Sequence, residues 1–260
     1  MFSRTCFLIT FGVLLCMNGY CQHFAKKDFD IINAVVDSAS TKAVLVKRLN
    51  GLLKNYMPSR SGIGAPLNRQ LDGEFYHQRI VVRFYPNNFF INLLTRHDSI
   101  FFSTVCFTGS AFSEGPGFKE ADSAVRAIHY NTAVMATFLK NRNSFYQSEK
   151  TLNDLAVELS GNDVYLMNCG AGSRLTVEDK QGNDLLKKED PFPEIRAMLQ
   201  NFSCEEQAYG VTAIDMLINK GVSIDNLTSK LYKYIRKRNT TVITCSFCII
   251  GVTKKLYDQQ

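Results

Sequence analysis

Cys106 lies in the segment of this chain whose residue types best suit nucleophilic chemistry. The segment reads TVCFTGS over residues 104–110. A cysteine near the end of a strand, followed by a turn of small residues, can offer a thiolate nucleophile beside backbone N–H groups that stabilise an oxyanion. The histidine that we take as candidate base is His129, which follows this turn and can fold back toward it. A cysteine-dependent hydrolase is therefore one hypothesis for the function.

The same segment resembles the strand-Cys-x-x-Gly segment of caspase-like cysteine peptidases, here Cys106 to Gly109. The resemblance implies that Cys106 acts as the nucleophile. The chain departs from that family at its other anchor, because no His-Gly pair follows an earlier strand. The alternative is that Cys106 is a small core residue, as free cysteines usually are.

Two further groups have residue types that bind metals or exchange electrons. Cys245 and Cys248 have the spacing of a redox pair or of half a zinc site. In a strand, however, their side chains would point to opposite faces, and no second pair completes a metal site. His77 and His97, with Asp98, flank a predicted hairpin without a third firm ligand. We therefore predict no metal and no cofactor.

Three arginines fall on one face of the predicted sheet, and they suggest a binding site. Arg79, Arg83 and Arg96, beside Tyr85, suit an anionic glycan, a phosphate or a carboxylate. The alternative is that a helix bearing Asp and Glu covers this face through salt bridges. We take these four residues as the candidate ligand-binding residues.

Residues 79–107 predict a three-strand antiparallel meander, because apolar and polar residues alternate along them. We place the first turn at Asn87 and Asn88, since asparagine tolerates the positive φ of a two-residue hairpin. This turn pairs Val82 with Leu93 and leaves the arginines on the face opposite the apolar residues.

His97 and Asp98 predict the second turn of the meander. The third strand then sends four residues to the apolar face, namely Ile100, Phe102, Thr104 and Cys106. Because its other face is also largely apolar, we expect this strand to be central in the sheet.

The remaining elements surround the meander. We predict two helices within 22–56, a long loop at 58–75, a helix at 119–141, a shorter helix at 149–159, a strand at 164–169, helices that begin after Ser203 and Ser223, and a strand at 240–252. The predicted fold class is α+β, with a mainly antiparallel sheet built on the three-strand meander and flanked by N-terminal and C-terminal helices.

Residues 1–21 have the composition of a secretory signal peptide. Arg4 precedes a short apolar run, and small residues precede a cleavage point before Gln22. The run is too short to span a membrane stably. We expect a signal peptide at 1–21 and a single α+β domain at 22–260; the alternatives are an uncleaved anchor, or lipidation at Cys16 or Cys21.

The composition of the mature chain restricts the class of protein. Removal of Arg4 from the 30 Lys and Arg leaves 29 against 24 Asp and Glu, and five of the eight cysteines remain. The charge surplus is mild for a nucleic-acid-binding protein, and the odd cysteine number is not that of a disulfide scaffold. We predict a non-enzymatic binding or interaction protein of the periplasm or cell surface, whose partner is an anionic small molecule, a glycan or another protein.

The export hypothesis predicts that the protein isolated from its cells begins at Gln22. Signal peptidase should remove residues 1–21 during translocation. Intact-mass measurement of the native protein tests this, and a chain that retains Met1 would contradict it.

Overall fold

A six-stranded antiparallel sheet is the centre of the fold. The computed structural model describes residues 26–56, 61–64, 67–84, 87–110, 125–161, 164–165, 185, 187–246 and 249–257. Among these residues, seven helices accompany the sheet, and a two-stranded sheet stands apart from it. The α+β fold built on a meander is therefore confirmed. The predicted signal peptide lies outside the described residues.

The helices are α1 (26–37), α2 (Lys42–Tyr56), α3 (Thr132–Tyr146), α4 (Leu152–Ser160), α5 (Phe192–Gln200), α6 (Cys204–Asn219) and α7 (Asn226–Arg238). The strands are β1 (Ser61–Ile63), β2 (Leu67–Asp72), β3 (Phe75–Phe84), β4 (Asn87–Arg96), β5 (Ser99–Ser110), β6 (Val125–Tyr130), β7 (Thr241–Ser246) and β8 (Ile249–Lys255). The main sheet has the order β1-β3-β4-β5-β6, and β2 also pairs with β3. None of the helices described is both long and apolar enough to cross a membrane.

The predicted register of the first hairpin is wrong. β3 and β4 pair Phe84 with Asn87 and Val82 with Phe89, so Asn87 and Asn88 are paired strand residues and do not form the turn. Side chains alternate with a period of two, and an even shift therefore keeps every residue on its predicted face. The predicted apolar and polar faces of β3 and β4 are therefore correct, although the predicted residue pairs between the two strands are not.

A bulge in β5 overturns the predicted face of Cys106. Thr95 pairs with Ile100, but Leu94 pairs with Phe102, so Phe101 is an extra residue in β5. One extra residue reverses the side-chain alternation beyond it. Thr104 and Cys106 consequently lie on the polar face of the sheet, whereas we had predicted the apolar face.

Helices cover both faces of the sheet. On the apolar face, α1 and α2 pack against a core that comprises Ile32, Leu45, Leu49, Ile80, Val82, Phe89, Ile91, Leu93 and Val105. On the opposite face, α3, α4 and α6 contribute to a second core with Leu71, Leu94, Phe102, Met135, Leu155, Leu159 and Phe202. Strand β5 lies between β4 and β6, as expected of a central strand.

Three other predicted elements are wrong. The predicted loop at 58–75 contains β1 and β2. The alternation of β2 is hard to recognise in the sequence, because one of its inward-facing residues is the charged Arg69. The predicted helix at 119–141 is replaced by β6 and α3, which begins after the N-cap Asn131. The predicted strand at 240–252 is a hairpin of β7 and β8 and does not extend the main sheet. Of the predicted strand at 164–169, only Tyr165 pairs within the described residues, in a bridge to Thr244.

Asp72, at the end of β2, joins the sheet to the C-terminal helices. Its Oδ2 accepts a hydrogen bond from Arg142 Nε at 2.8 Å, and its Oδ1 accepts one from Tyr146 Oη at 2.7 Å and one from Arg238 Nη1 at 3.1 Å. Arg142 also lies 3.8 Å from the centre of the Phe202 ring. Two guanidinium groups that are almost fully buried thus depend on one carboxylate, which ties β2 to α3 and α7.

Replacing Asp72 by Asn should destabilise the fold by about 3 kcal/mol, because it leaves two buried arginines without a counter-charge. Urea denaturation measures the loss. The matched control is Glu74→Gln, an exposed carboxylate in the adjacent turn, which should change stability by less than about 0.5 kcal/mol. Equal stability of the two variants would contradict a structural role for the Asp72 cluster.

Candidate functional site

A continuous group of buried polar side chains lies on the face of the sheet that α4 covers. We call it the central polar network; its members are Arg69, His77, Arg79, Asn92, Thr104, Cys106, Ser160 and Glu205, each at most 7% exposed. They come from β2, β3, β4, β5, α4 and α6. Because the sheet interior excludes water, each polar group here needs a protein partner.

Cys106 meets two hydroxyl groups at one end of the network. Its Sγ donates to Ser160 Oγ at 3.1 Å and lies 3.8 Å from Thr104 Oγ1. The two hydroxyl oxygens are 3.2 Å apart. Cys106 is fully buried. Its thiol therefore contacts other polar groups of the interior.

Asn92 links the members of the network on β3 to those on β5. Its Oδ1 accepts from Arg79 Nε at 2.8 Å and lies 3.2 Å from His77 Nε2. Its Nδ2 lies 3.3 Å from Thr104 Oγ1 and 4.0 Å from Cys106 Sγ. One side-chain amide on β4 thereby satisfies groups on β3 and β5 together.

The contacts of His77 define its tautomer. Arg69 Nε can only donate, and it lies 3.2 Å from His77 Nδ1, so Nδ1 must accept. The ring proton is then on Nε2, from which it is donated to Asn92 Oδ1. Burial lowers the pKa of His77 well below 6.5, and the charges of Arg69 and Arg79 lower it further. His77 is thus neutral, and its one lone pair is already occupied.

Arg69 and Glu205 form a buried ion pair at the other end of the network. Arg69 Nη1 lies 2.5 Å from Glu205 Oε1, which also accepts from the backbone N–H of Ile243 at 2.7 Å. Burial by itself would raise the pKa of Glu205, but the charge and hydrogen bond of Arg69 and the Ile243 N–H together lower it. The pair joins β2 to α6 and β7.

Arg79 binds the C-terminal end of α4. Its Nη2 donates to the carbonyl oxygens of Leu159 at 2.7 Å and Gly161 at 2.6 Å. These carbonyls are at the negative end of the helix, where a cation is favourable. Arg79 therefore fixes α4 over the sheet, and it is only 7% exposed.

Of the four predicted ligand-binding residues, the three arginines that the structure describes lie apart on the sheet. Arg79 and Arg83 are four residues apart on β3, or about 13 Å. Arg83 is exposed. Arg96 is exposed, and its guanidinium carbon lies 5.8 Å from the centre of the Phe75 ring. Phe75 is four residues from Arg79 along β3, on the side away from Arg83. Tyr85 lies outside the described residues.

The structure also separates the predicted nucleophile from its predicted base. His129 lies on β6, not on a helix, and pairs with Ser103 on the face that α1 covers. Its Nδ1 is 2.8 Å from Asp37 Oδ1, and its Nε2 is 2.8 Å from Asn33 Oδ1. Cys106 points to the opposite face, so the sheet itself stands between the two side chains.

The two histidines of the predicted hairpin also differ in their exposure to solvent. His77 is buried in the central polar network, whereas His97 is exposed in a turn with a φ of 57°. Within the part of the chain that the structure describes, no three His, Cys, Asp or Glu side chains are placed as metal ligands. Cys248 lies outside the described residues.

Sequence analysis missed three members of the central polar network, namely Arg69, Ser160 and Glu205. Arg69 was assigned to a loop, and Ser160 and Glu205 were helix residues without a noted role. One signal was present: His77, Arg79 and Asn92 are polar residues in strands whose other face is largely apolar. Alternation predicted that this face meets water, and the helix that covers it comes from a distant part of the chain.

No protein family, curated protein or solved structure matches this chain. Inference about its function therefore starts from its own residues.

The depressed pKa of His77 predicts a loss of stability in acid. Below pH about 6.5 the unfolded chain binds a proton at this residue and the folded chain does not, so stability should fall by up to about 1.4 kcal/mol per pH unit. His77→Gln should remove this component of the slope, measured by urea denaturation between pH 7.5 and about 5. His97→Asn, in an exposed turn where Asn tolerates positive φ, is the control and should keep the wild-type slope. An unchanged slope in His77→Gln would contradict a neutral, buried His77.

Proposed function

We propose that this chain is an exported, non-enzymatic binding protein of the periplasm or cell surface, with an anionic ligand. The observation that carries the proposal is the complete burial of Cys106 and His77, the two residues best suited to chemistry. Each forms its hydrogen bonds inside the central polar network. Both residues therefore contribute to the internal structure of the fold.

The contacts of Cys106 favour this proposal over a cysteine-dependent hydrolase. An activated thiol needs a base within hydrogen-bond reach and an open path to the substrate. Thr104 and Ser160, which are next to the sulfur, are hydroxyls and poor bases at neutral pH. His129 is on the other face of the sheet, and the Nδ1 lone pair of His77 accepts from Arg69.

The distribution of cations supports an anionic ligand. Arg69, Arg79, Arg142 and Arg238 are buried or nearly so and bind carboxylates or carbonyls of the protein. The cations that remain to meet a ligand are therefore those at the surface. Export is supported by the composition of residues 1–21.

The proposal predicts that Cys106 does not react with iodoacetamide in the native protein, because its thiol has no exposed surface. Peptide mapping by mass spectrometry after labelling, with and without denaturant, tests this. Ser99→Cys, which places a thiol at the exposed start of the same strand, is the positive control and should label within the native state. Fast native labelling of Cys106 would refute the non-enzymatic assignment.

A further inference from the structure

The positive charge of this chain is concentrated in one C-terminal segment. Residues 226–257 contain seven Lys and Arg and no Asp or Glu, whereas the formal net charge of the whole chain is +6. The rest of the chain therefore has a formal charge of −1. Such a concentration on a small part of the structure creates a local positive potential that the overall composition conceals.

Three of the seven cations contact other groups of the fold. Arg238 is buried and binds Asp72. Arg236 pairs with Asp215 at 3.4 Å and lies 4.5 Å from the centre of the Tyr257 ring. Lys230 is exposed, but its Nζ donates to Phe145 O at 3.2 Å and lies 4.2 Å from the centre of the Phe145 ring. The exposed lysines of the segment are Lys230, Lys233, Lys237, Lys254 and Lys255, and we call them the α7–β8 basic surface.

The fold places these five lysines on adjoining elements. Lys230, Lys233 and Lys237 are three and four residues apart, so they share one face of α7. The end of β8 lies beside the end of this helix, because Asn239 Nδ2 donates to Tyr257 O at 2.9 Å and Tyr257 N donates to Asn239 Oδ1 at 2.8 Å. The row of lysines on α7 thus ends near the end of β8, where Lys254 and Lys255 point to opposite faces of the strand.

Folding alone does not account for this row. Lysines at i and i+4 such as Lys233 and Lys237 repel each other and disfavour the helix. Cations near the C-terminus of α7 gain only a modest compensation from the helix dipole. Among the described residues, no acidic side chain forms a salt bridge with Lys233, Lys237, Lys254 or Lys255.

We propose that the α7–β8 basic surface binds a linear anionic glycan. The proposal rests on the proposed function and names its ligand class and its site. A linear chain with repeated carboxylate or sulfate groups can contact the successive lysines of one helix face at the same time. Each contact is a solvent-exposed charge pair and contributes little by itself. The affinity therefore depends on the number of contacts and decreases as the salt concentration rises.

The side chains around the lysines favour a glycan over other polyanions. Binding within a membrane interface requires exposed apolar residues beside the cations. The large apolar side chains that are exposed in the described residues, such as Val157 and Ile218, all lie outside 226–257. Single-stranded nucleic acid requires exposed aromatic rings for stacking. Tyr232 is buried, and Tyr234 and Tyr257 are half-buried.

Titration of the full chain with a heparin oligosaccharide, a linear anionic glycan, tests the proposal. Neutral dextran is the uncharged reference. The double variant Lys233→Gln/Lys237→Gln should bind the oligosaccharide at least about tenfold more weakly than the wild type, with a smaller dependence on salt. Lys47→Gln/Lys54→Gln removes the same charge from exposed positions on α2 and should stay within about twofold of the wild type.

Several outcomes would overturn the inference. An equal loss in the α2 control would show attraction by net charge without a site. Retained binding in the α7 variant, with loss in Arg83→Gln, would move the site to the sheet and leave the proposed function intact. Absence of oligosaccharide binding, with binding to anionic phosphatidylglycerol vesicles, would replace the glycan by a membrane. Fast native labelling of Cys106 would instead refute the proposed function, whatever the titration shows.

Discussion

A single buried amide connects the strands at the centre of this protein. Asn92 faces Arg79 and His77 through its oxygen and Thr104 through its nitrogen. The interior between the sheet and α4 excludes water, and an unsatisfied polar group there would cost about 1–3 kcal/mol. Each of the three neighbours therefore depends on the amide, and the amide on them. The network also contributes to the placement of α4, because Arg79 donates both to Asn92 and to the carbonyl oxygens of Leu159 and Gly161.

The bulge at Phe101 determines what this face of the sheet can do. Without the extra residue, Cys106 would join the apolar core with Val82 and Ile91. With it, the thiol lies beside Ser160 and near Asn92. The same reversal sends Val105 into the apolar core and leaves His129 on the opposite face from Cys106. One inserted residue thus creates the polar network and also separates the predicted catalytic pair.

Several buried cations of this protein have acidic partners, whereas most of the exposed lysines of α7 and β8 do not contact such groups in the part of the chain that the structure describes. Arg69 meets Glu205, and Arg142 meets Asp72, within distances that make each pair a structural unit. Breaking such a pair leaves a buried charge, so these cations are not available to a ligand. The lysines of α7 and β8 form no salt bridge among the described residues, and they lie in the segment that contains seven Lys and Arg and no Asp or Glu.

The sequence by itself determined the elements that depend on local chemistry. The break between α1 and α2, the turn at His97 and Asp98, the capping of α6 by Ser203, and the division of β3 and β4 into two faces all follow from residues that are neighbours in the chain. Only the tertiary structure decided which of these elements pack together and which polar residues contact each other. The bulge, the burial of Arg79 under α4 and the contact of Arg69 with Glu205 join residues that are far apart in sequence, and alternation within one strand does not show whether water or a distant helix will cover its polar face.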